Sequence, residues 1–357
     1  MSEKSINVVM CGGRRTGKTS IMAAIRSNIQ DMFPEGTQIA LQFADSGSTN
    51  VSNTLSLYQK ELKARFDDAD AEYFPTDLMP TTQRVDYECH VFLQGKNSHL
   101  DLNFIDVPGE WYTNPLYRDD LKNVLSDSDI LLIAVDSPHL MEESGEYHNL
   151  FNRVEQITKA IKEAFDGNRD PKMVLFVPLK CEKYRKTANH KNRMENLLNA
   201  VREGYKDLID GYLLNGENKR LYAVAVSPCF TLGGVEFLQF ISPRDANGEP
   251  VPKVFTNPSD GLLYAGKAPR YAFLWNEWDE HYYEPKDCEQ PLLYILLYLV
   301  AIGRRRGQGF FGIVKRLVGL LPPQKTLDAT KNALFPKVKR NSEDGFSILN
   351  DPLYMMN

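Results

Sequence analysis

Cysteine is scarce and unpatterned in this chain. Five residues, Cys11, Cys89, Cys181, Cys229 and Cys288, share no C-x-x-C spacing, and their number is odd. That argues against a disulfide framework and a C-x-x-C zinc module, and it fits free thiols in a reducing cytosol. Long apolar runs are missing too: the longest, 292–302, is far shorter than the roughly 20 residues of a bilayer-spanning helix. Residues 1–5 are polar and lead directly into a first strand, which leaves no room for a signal peptide. No charge of one sign dominates. With 42 Lys and Arg against 47 Asp and Glu the net charge is −5, and a dedicated nucleic-acid binder is not expected. No internal repeat is visible. What remains, with 25% charged and 42% apolar residues over 357 positions, is an ordinary globular composition. It is long enough for one elaborated α/β domain with a sizeable core.

Against that background one stretch stands out, Gly12-Gly13-Arg14-Arg15-Thr16-Gly17-Lys18-Thr19, which fits the pattern G-x-x-x-x-G-K-[ST]. An apolar, partly β-branched segment, 6–10, precedes it and a helix-compatible segment, 20–29, follows, so the motif sits between strand and helix. The glycines let the backbone turn its N–H groups toward a nucleotide's phosphates. The following helix, opening at Ser20, adds its positive N-terminal end, and Lys18 supplies a mobile cation. Thr19 is placed to hold Mg²⁺ through its hydroxyl.

The rest of the chain reads as alternating strands and helices. The interval 31–79 carries a turn-rich patch at 45–50 and a helix candidate at 51–66, with Leu55, Tyr58, Leu62 and Phe66 three or four apart; it reads as an insertion. Segments 84–93 and 100–104, joined by a polar turn, predict an antiparallel hairpin. Helices follow at 116–125, 154–165 and 194–208, and strands at 130–136, 173–178 and 221–227. The expected fold is α/β, a P-loop nucleotide-binding domain whose mostly parallel sheet has one antiparallel edge strand and helices on both faces. From 229 to 289 the composition turns to Pro, Gly, Asn and aromatics and reads as a loop-rich elaboration. The apolar segment 291–302 closes the domain as a helix with Pro291 in its first turn. The domain expected is thus 1–305, with insertions at about 31–80 and 229–290, followed by a basic segment and tail at 306–357.

A phosphate loop alone does not distinguish kinases, motor ATPases and GTPases. The second acidic motif does more. Asp106 ends a hydrophobic strand, where it can serve Mg²⁺, and Gly109 three residues later can bring its N–H to a γ-phosphate. Asp-x-x-Gly after a hairpin points to a GTPase.

With these residues in hand the chain resembles the Ras-like GTPase superfamily and, more narrowly, bacterial GTPase-domain proteins of the double-GTPase type, over roughly 5–302. The resemblance implies GTP as ligand and substrate, Mg²⁺ as cofactor, a cytoplasmic location and a molecular switch. It also implies a threonine before the hairpin that reports the γ-phosphate through Mg²⁺, and Thr81 or Thr82 stands at that place. Guanine recognition in the superfamily uses [NT]-K-x-D, matched here by Leu179-Lys180-Cys181-Glu182. Lys180 can lay its stem along the base, and Glu182 can accept from guanine's ring N–H and amine. The Asn is missing and Glu is one methylene longer than Asp, which leaves an ATPase open. Ser227-Pro228-Cys229 resembles the loop that offers backbone N–H groups to the base.

Catalysis rests on two departures from the family pattern. Glu110 follows Asp-x-x-Gly where Gln often orients the attacking water, and a carboxylate there needs a compensating cation. Arg14 and Arg15, inside the phosphate loop, are expected either to act as an arginine finger in cis beside Lys18 or to face solvent or a partner. A nucleotide-binding scaffold that recruits a partner without useful hydrolysis is therefore a second reading. The 31–82 region is the expected protein-effector surface. Segment 304–321, basic and apolar at helical spacing, is expected to dock on the domain or to contact a membrane surface or partner.

Overall fold

The computed structural model describes residues 5–32, 39–43, 83–93, 99–185, 193–242, 246–249, 254–256, 263–265, 270–275, 284–304, 324–353 and 355, together with positions 60 and 64. The centre of the molecule is an eight-stranded sheet whose strands lie in the order β12 (Ser347–Asn350), β7 (Tyr222–Val226), β6 (Lys172–Leu179), β5 (Ile130–Asp136), β1 (Ser5–Cys11), β4 (His99–Asp106), β3 (Val85–Leu93) and β2 (Ile39–Phe43). Its parallel block consists of β1 (Ser5–Cys11), β4 (His99–Asp106), β5 (Ile130–Asp136), β6 (Lys172–Leu179) and β7 (Tyr222–Val226). β5 shows why these strands read as unbroken apolar runs. Ile130, Leu132 and Ala134 face one core, Leu131, Ile133 and Val135 the other, so both faces are buried.

Helices cover both faces as the pattern predicts. On one side lie α1 (Lys18–Met32) and α7 (Gln290–Arg304), whose residues from Gln290 to Gly303 are all buried. On the other lie α2 (Arg118–Ser126), α5 (Val154–Ala164) and α6 (Arg193–Gly204), set down through Leu121, Leu125, Ile157, Ile161, Leu197 and Val201. Two short helices, α3 (Ser137–Met141) and α4 (His148–Phe151), fill the connection from β5 to α5. The sequence pattern gave no sign of them, because neither spans two turns and no apolar stripe can develop.

The antiparallel additions lie at both ends of the sheet. β3 (Val85–Leu93) pairs with β4 as the expected hairpin, and β2 (Ile39–Phe43) adds to β3. At the opposite edge β12 (Ser347–Asn350) pairs antiparallel with β7. The tail beyond 306 therefore joins the domain in its described part: α8 (Gln324–Leu334) buries Leu327 and Leu334, and Val338, Phe346, Leu353 and Met355 enter the same core as α7. The region read as loop-rich, 229–290, also holds strands. β8 (Val235–Ile241) pairs with β11 (Arg270–Trp275), and β9 (Val254–Thr256) with β10 (Leu263–Ala265). A register shift at Ala272/Phe273 and the long Pro- and Gly-bearing interval between β8 and β11 hide the alternation. Most of the 31–80 insertion, including the helix candidate at 51–66 apart from positions 60 and 64, and the basic segment 305–321 fall outside the described residues.

Candidate functional site

The register of the central strands assembles the site. β1 pairs with β4 so that Met10 sits opposite Asp106, which places the end of β4 beside the loop that leaves β1. In that loop Lys18, at the start of α1, folds back and donates from Nζ to Gly12 O at 3.3 Å and Gly13 O at 3.4 Å. Thr16 Oγ1 donates to Gly13 O at 3.1 Å. Gly17, at φ +108°, makes the turn that an L side chain would strain, and Ser20 lies buried just inside the helix.

Asp106 is fully buried. Thr19 Oγ1 donates to its Oδ2 at 3.3 Å, while Oδ1 has no hydrogen-bond partner among the described residues and faces Lys18 Nζ at 3.7 Å. Burial lifts this carboxyl above the usual range, opposed by Lys18 and Thr19. A carboxylate oxygen without a donor beside a threonine hydroxyl is the hard-oxygen donor set that suits Mg²⁺. Gly109 lies against the phosphate loop: a Cβ there would stand 2.5 Å from Arg14 N and 2.7 Å from Gly13 C. Glu110 Oε1 pairs with Arg14 Nε at 3.1 Å, both side chains about half exposed. Arg15, in the left-handed region at φ 62°, turns its carbonyl inward instead. Thr81 and Thr82 lie outside the described residues.

That Arg15 carbonyl is where the base-side loop joins the phosphate loop. Asp136 pairs in register with Leu179, so Lys180, held at φ 54°, comes next to the end of β5. Lys180 Nζ donates to Arg15 O at 2.9 Å and forms a close ion pair with Asp136. Asp136 also accepts from Tyr271 Oη at 2.8 Å and from His139 N at 3.1 Å, and the Tyr271 ring lies 4.4 Å from Lys180 Nζ. Burial pushes the Asp136 carboxyl up, and His139, Lys180 and the Tyr271 hydroxyl outweigh it and hold the group below its ordinary value. Asn152 clamps the Asp136 backbone, accepting from its N–H at 2.8 Å and donating to its carbonyl at 3.1 Å.

Glu182 and Ser227 complete the base side. Glu182 opens the short turn after β6 and is 4% exposed; its Oε1 accepts from Leu232 N at 2.6 Å, and Oε2 has no partner among the described residues. Ser227 is buried after β7, its N donating to Phe176 O at 2.9 Å and its Oγ without a partner among the described residues. Sequence reasoning missed Asp136, Tyr271 and Arg153. The last is a partly buried guanidinium at φ 57° ahead of α5, inside the influence of Glu110, where burial lowers its pKa. Away from this site, Glu88, His90 and Asp101 gather on β3 and β4 with donor atoms within 4.8 Å of one another, His90 Nδ1 lying 2.7 Å from Asp101 Oδ1.

A loop of backbone around Lys18, an acidic strand end facing it and a lysine-bearing loop locked to its back define a P-loop nucleotide-binding domain of the GTPase kind. Residues 6–209, more than half of the chain, match the Double-GTPase 2 family, and the chain belongs to that family. Solved structures similar to it include the following two. One is the signal recognition particle receptor SRb-GTP/SRX complex from Chaetomium thermophilum, at 13% identity, covering 64% of this chain and 92% of the other with a TM-score of 0.35. The second is an ADP-ribosylation-factor-like GTP-binding protein, the small COPII coat GTPase SAR1 of Encephalitozoon cuniculi in complex with GDP. It shows 10% identity, covers 65% of this chain and 71% of the other, and has a TM-score of 0.30. No curated relative matches the chain. Among the described residues no helix is long and apolar enough to cross a membrane.

Proposed function

We propose that the chain binds GTP with Mg²⁺ and hydrolyses it slowly, as a switch. The observation that carries this reading is the convergence of Lys18 and Thr19 on the Asp106 carboxylate, whose Oδ1 has no hydrogen-bond partner among the described residues, beside the phosphate loop. Thr19 and Asp106 would hold Mg²⁺, with Thr81 or Thr82 completing the set; the ion supplies charge neutralisation at the β- and γ-phosphate oxygens. Gly12 to Ser20 cradle the phosphates, Lys18 sets its ammonium against them, and Gly109 offers its N–H from the opposite side. Lys180 and Glu182 take the base, with the loop at Ser227 beside them. Glu110 orients the attacking water, its charge balanced by Arg14 and by Arg153 nearby. The effector surface is assigned to 31–82, and membrane-surface or partner contact to 304–321.

Lys18→Ala should weaken GTP binding by roughly 30-fold or more, since removing one partner of a buried charged contact costs about 2–5 kcal/mol. Calorimetry decides: unchanged affinity overturns the assignment. Single-turnover hydrolysis then separates switch from scaffold. The tie between Glu110 and Arg14 favours the scaffold reading, because it engages the water-orienting group in a salt bridge. A γ-phosphate that stays intact for hours in the Mg²⁺ complex would establish that second reading.

Affinity should also depend on pH through Glu182. Burial pushes its carboxyl up to about 8, against the Leu232 N–H, Arg185 and Lys180, which lower it. A neutral carboxyl cannot offer guanine's N–H the acceptor that a carboxylate offers, so binding favours the ionised form and releases a proton. GTP affinity should be level above that pKa and fall by close to tenfold for each pH unit below it. Affinity that does not change between pH 6 and about 8 would remove Glu182 from base recognition.

A further inference from the structure

The phosphate loop is gripped from two sides at one place. A Cβ on Gly13 would stand 1.9 Å from Phe151 O, and one on Gly109 would stand 2.7 Å from Gly13 C and 2.5 Å from Arg14 N. Glu110 follows the second contact directly, and Arg153 stands two residues past the first. The turn at 109–112 also packs on α5, the helix that Arg153 opens. A carboxylate and a guanidinium therefore meet on the same rim of the loop.

Arg153 is held there at a conformational cost. Its backbone is left-handed, φ 57° and ψ 38°, a region that glycine and asparagine take readily and that strains a long side chain. The turn cannot relax. Asn152, just before it, is clamped to the Asp136 backbone at 2.8 and 3.1 Å, and the Arg153 carbonyl accepts the first bond of α5 from Ile157 N at 2.9 Å. Backbone conformation does not account for an arginine at this position, so the reason lies in the guanidinium.

Arg14 is the weaker partner of Glu110. It is joined through Nε at 3.1 Å, its side chain is about half exposed, and it belongs to the loop on which a triphosphate would land. Phosphate oxygens compete for that same guanidinium. Arg153 lies outside the loop and partly buried, where burial lowers its pKa and the Glu110 carboxylate opposes the shift. Glu110 Oε2 is buried without a hydrogen-bond partner among the described residues, and a fixed cation nearby offsets the desolvation of its charge.

We propose that Arg153 is a positioning residue for hydrolysis, the cation in cis that holds the Glu110 carboxylate in place once a bound triphosphate has drawn Arg14 away. The proposal rests on the reading of Glu110 as the group that orients the attacking water. It assigns the charge in cis to the turn before α5 and not to the arginines of the phosphate loop.

The test is single-turnover hydrolysis of GTP by the full chain with Mg²⁺, alongside calorimetric GTP affinity and thermal unfolding. Arg153→Gln keeps much of the stem and loses the charge. It should slow hydrolysis about tenfold or more, about 1.4 kcal/mol of barrier for each factor of ten, and change affinity by less than about threefold. Arg153→Lys should recover most of the rate. Arg153→Gly relieves the left-handed turn, so it should lose rate as the Gln variant does while unfolding at no lower temperature. Arg14→Ala should slow hydrolysis less than Arg153→Gln. Because Arg153 acts through Glu110, in a Glu110→Gln background Arg153→Gln should cost less than about twofold. A wild-type rate in Arg153→Gln, an affinity that falls as far as the rate, a Lys variant as slow as Gln, a larger loss in Arg14→Ala, or an undiminished loss with Glu110→Gln present overturns the proposal. A wild-type chain that hydrolyses no GTP overturns the hydrolysis reading, and the proposal with it.

Discussion

Asp136→Ala should cost about 3–5 kcal/mol of folding stability, the scale found when one member of a buried ion pair is removed. The carboxylate is fully buried and serves three donors: the Lys180 ammonium, the Tyr271 hydroxyl at 2.8 Å and His139 N at 3.1 Å. Its removal leaves Lys180, itself 6% exposed, without its ion-pair partner and with the Arg15 carbonyl as its acceptor. It also removes one partner of the Tyr271 hydroxyl, which still meets the His139 ring at 3.1 Å, in the cluster with Phe237 and Phe240 that ties the β8–β11 pair to the sheet. Asp136→Asn keeps the shape and loses the charge, so it should fall between wild type and Ala. Tyr271→Phe removes the hydroxyl that Asp136 and the His139 ring share and should cost about 1.5–3 kcal/mol, because its main bond is to a charged group. Urea unfolding with the slope held constant across the series is the measurement. A loss below about 1 kcal/mol for Asp136→Ala would mean that the pair is solvated and that Lys180 is not held by it.

The same cluster shows what the sequence could and could not disclose. Lys18, Thr19, Asp106 and Gly109 were legible because each belongs to a short pattern set between a strand and a turn or helix, where spacing alone carries the geometry. Lys180 and Glu182 were legible as positions, through their match to a base-reading loop, but their partners were not. Asp136 and Tyr271 are separated by 135 positions, and Glu182 and Leu232 by 50; no periodicity joins residues across such distances. Strand register does, and it appears only when β5 and β6 are seen side by side with Asp136 opposite Leu179. The parallel strands were readable because burial on both faces writes unbroken apolar runs into them. β8 and β11 were not, since Leu238 and Leu274 lie 45% and 50% exposed on their outer side and blur the alternation. β12 was hidden for a related reason: all four of its residues are only partly buried, as befits an edge. Arg153 carries no pattern at all, and its place beside Glu110 follows from the left-handed turn ahead of α5.

Gly13→Ala should disable the site and loosen the fold together. A Cβ on Gly13 would stand 1.9 Å from Phe151 O, and an obstacle of backbone cannot rotate away as a side chain could. Retreat of α4 is blocked as well: the next residue, Asn152, is clamped to the Asp136 backbone by hydrogen bonds of 2.8 and 3.1 Å. The phosphate loop must therefore move. Its Gly13 carbonyl accepts from both Lys18 Nζ and Thr16 Oγ1, so a shift there misaims the cation that meets the phosphates. Overpacking of this kind costs about 1–3 kcal/mol and at times more, and the rigidity on both sides puts this position at the upper end. GTP affinity should fall at least tenfold, about 1.4 kcal/mol, in the same variant. Two comparisons isolate the cause. Gly167→Ala, at φ +71° with open space around its Cβ position, should cost only the left-handed strain of about 1–2 kcal/mol and leave binding alone. Gly13→Ala combined with Phe151→Ala should not recover, because alanine at 151 keeps the carbonyl that causes the clash. Recovery in that double variant would put the aromatic ring, and not the backbone of α4, against the phosphate loop.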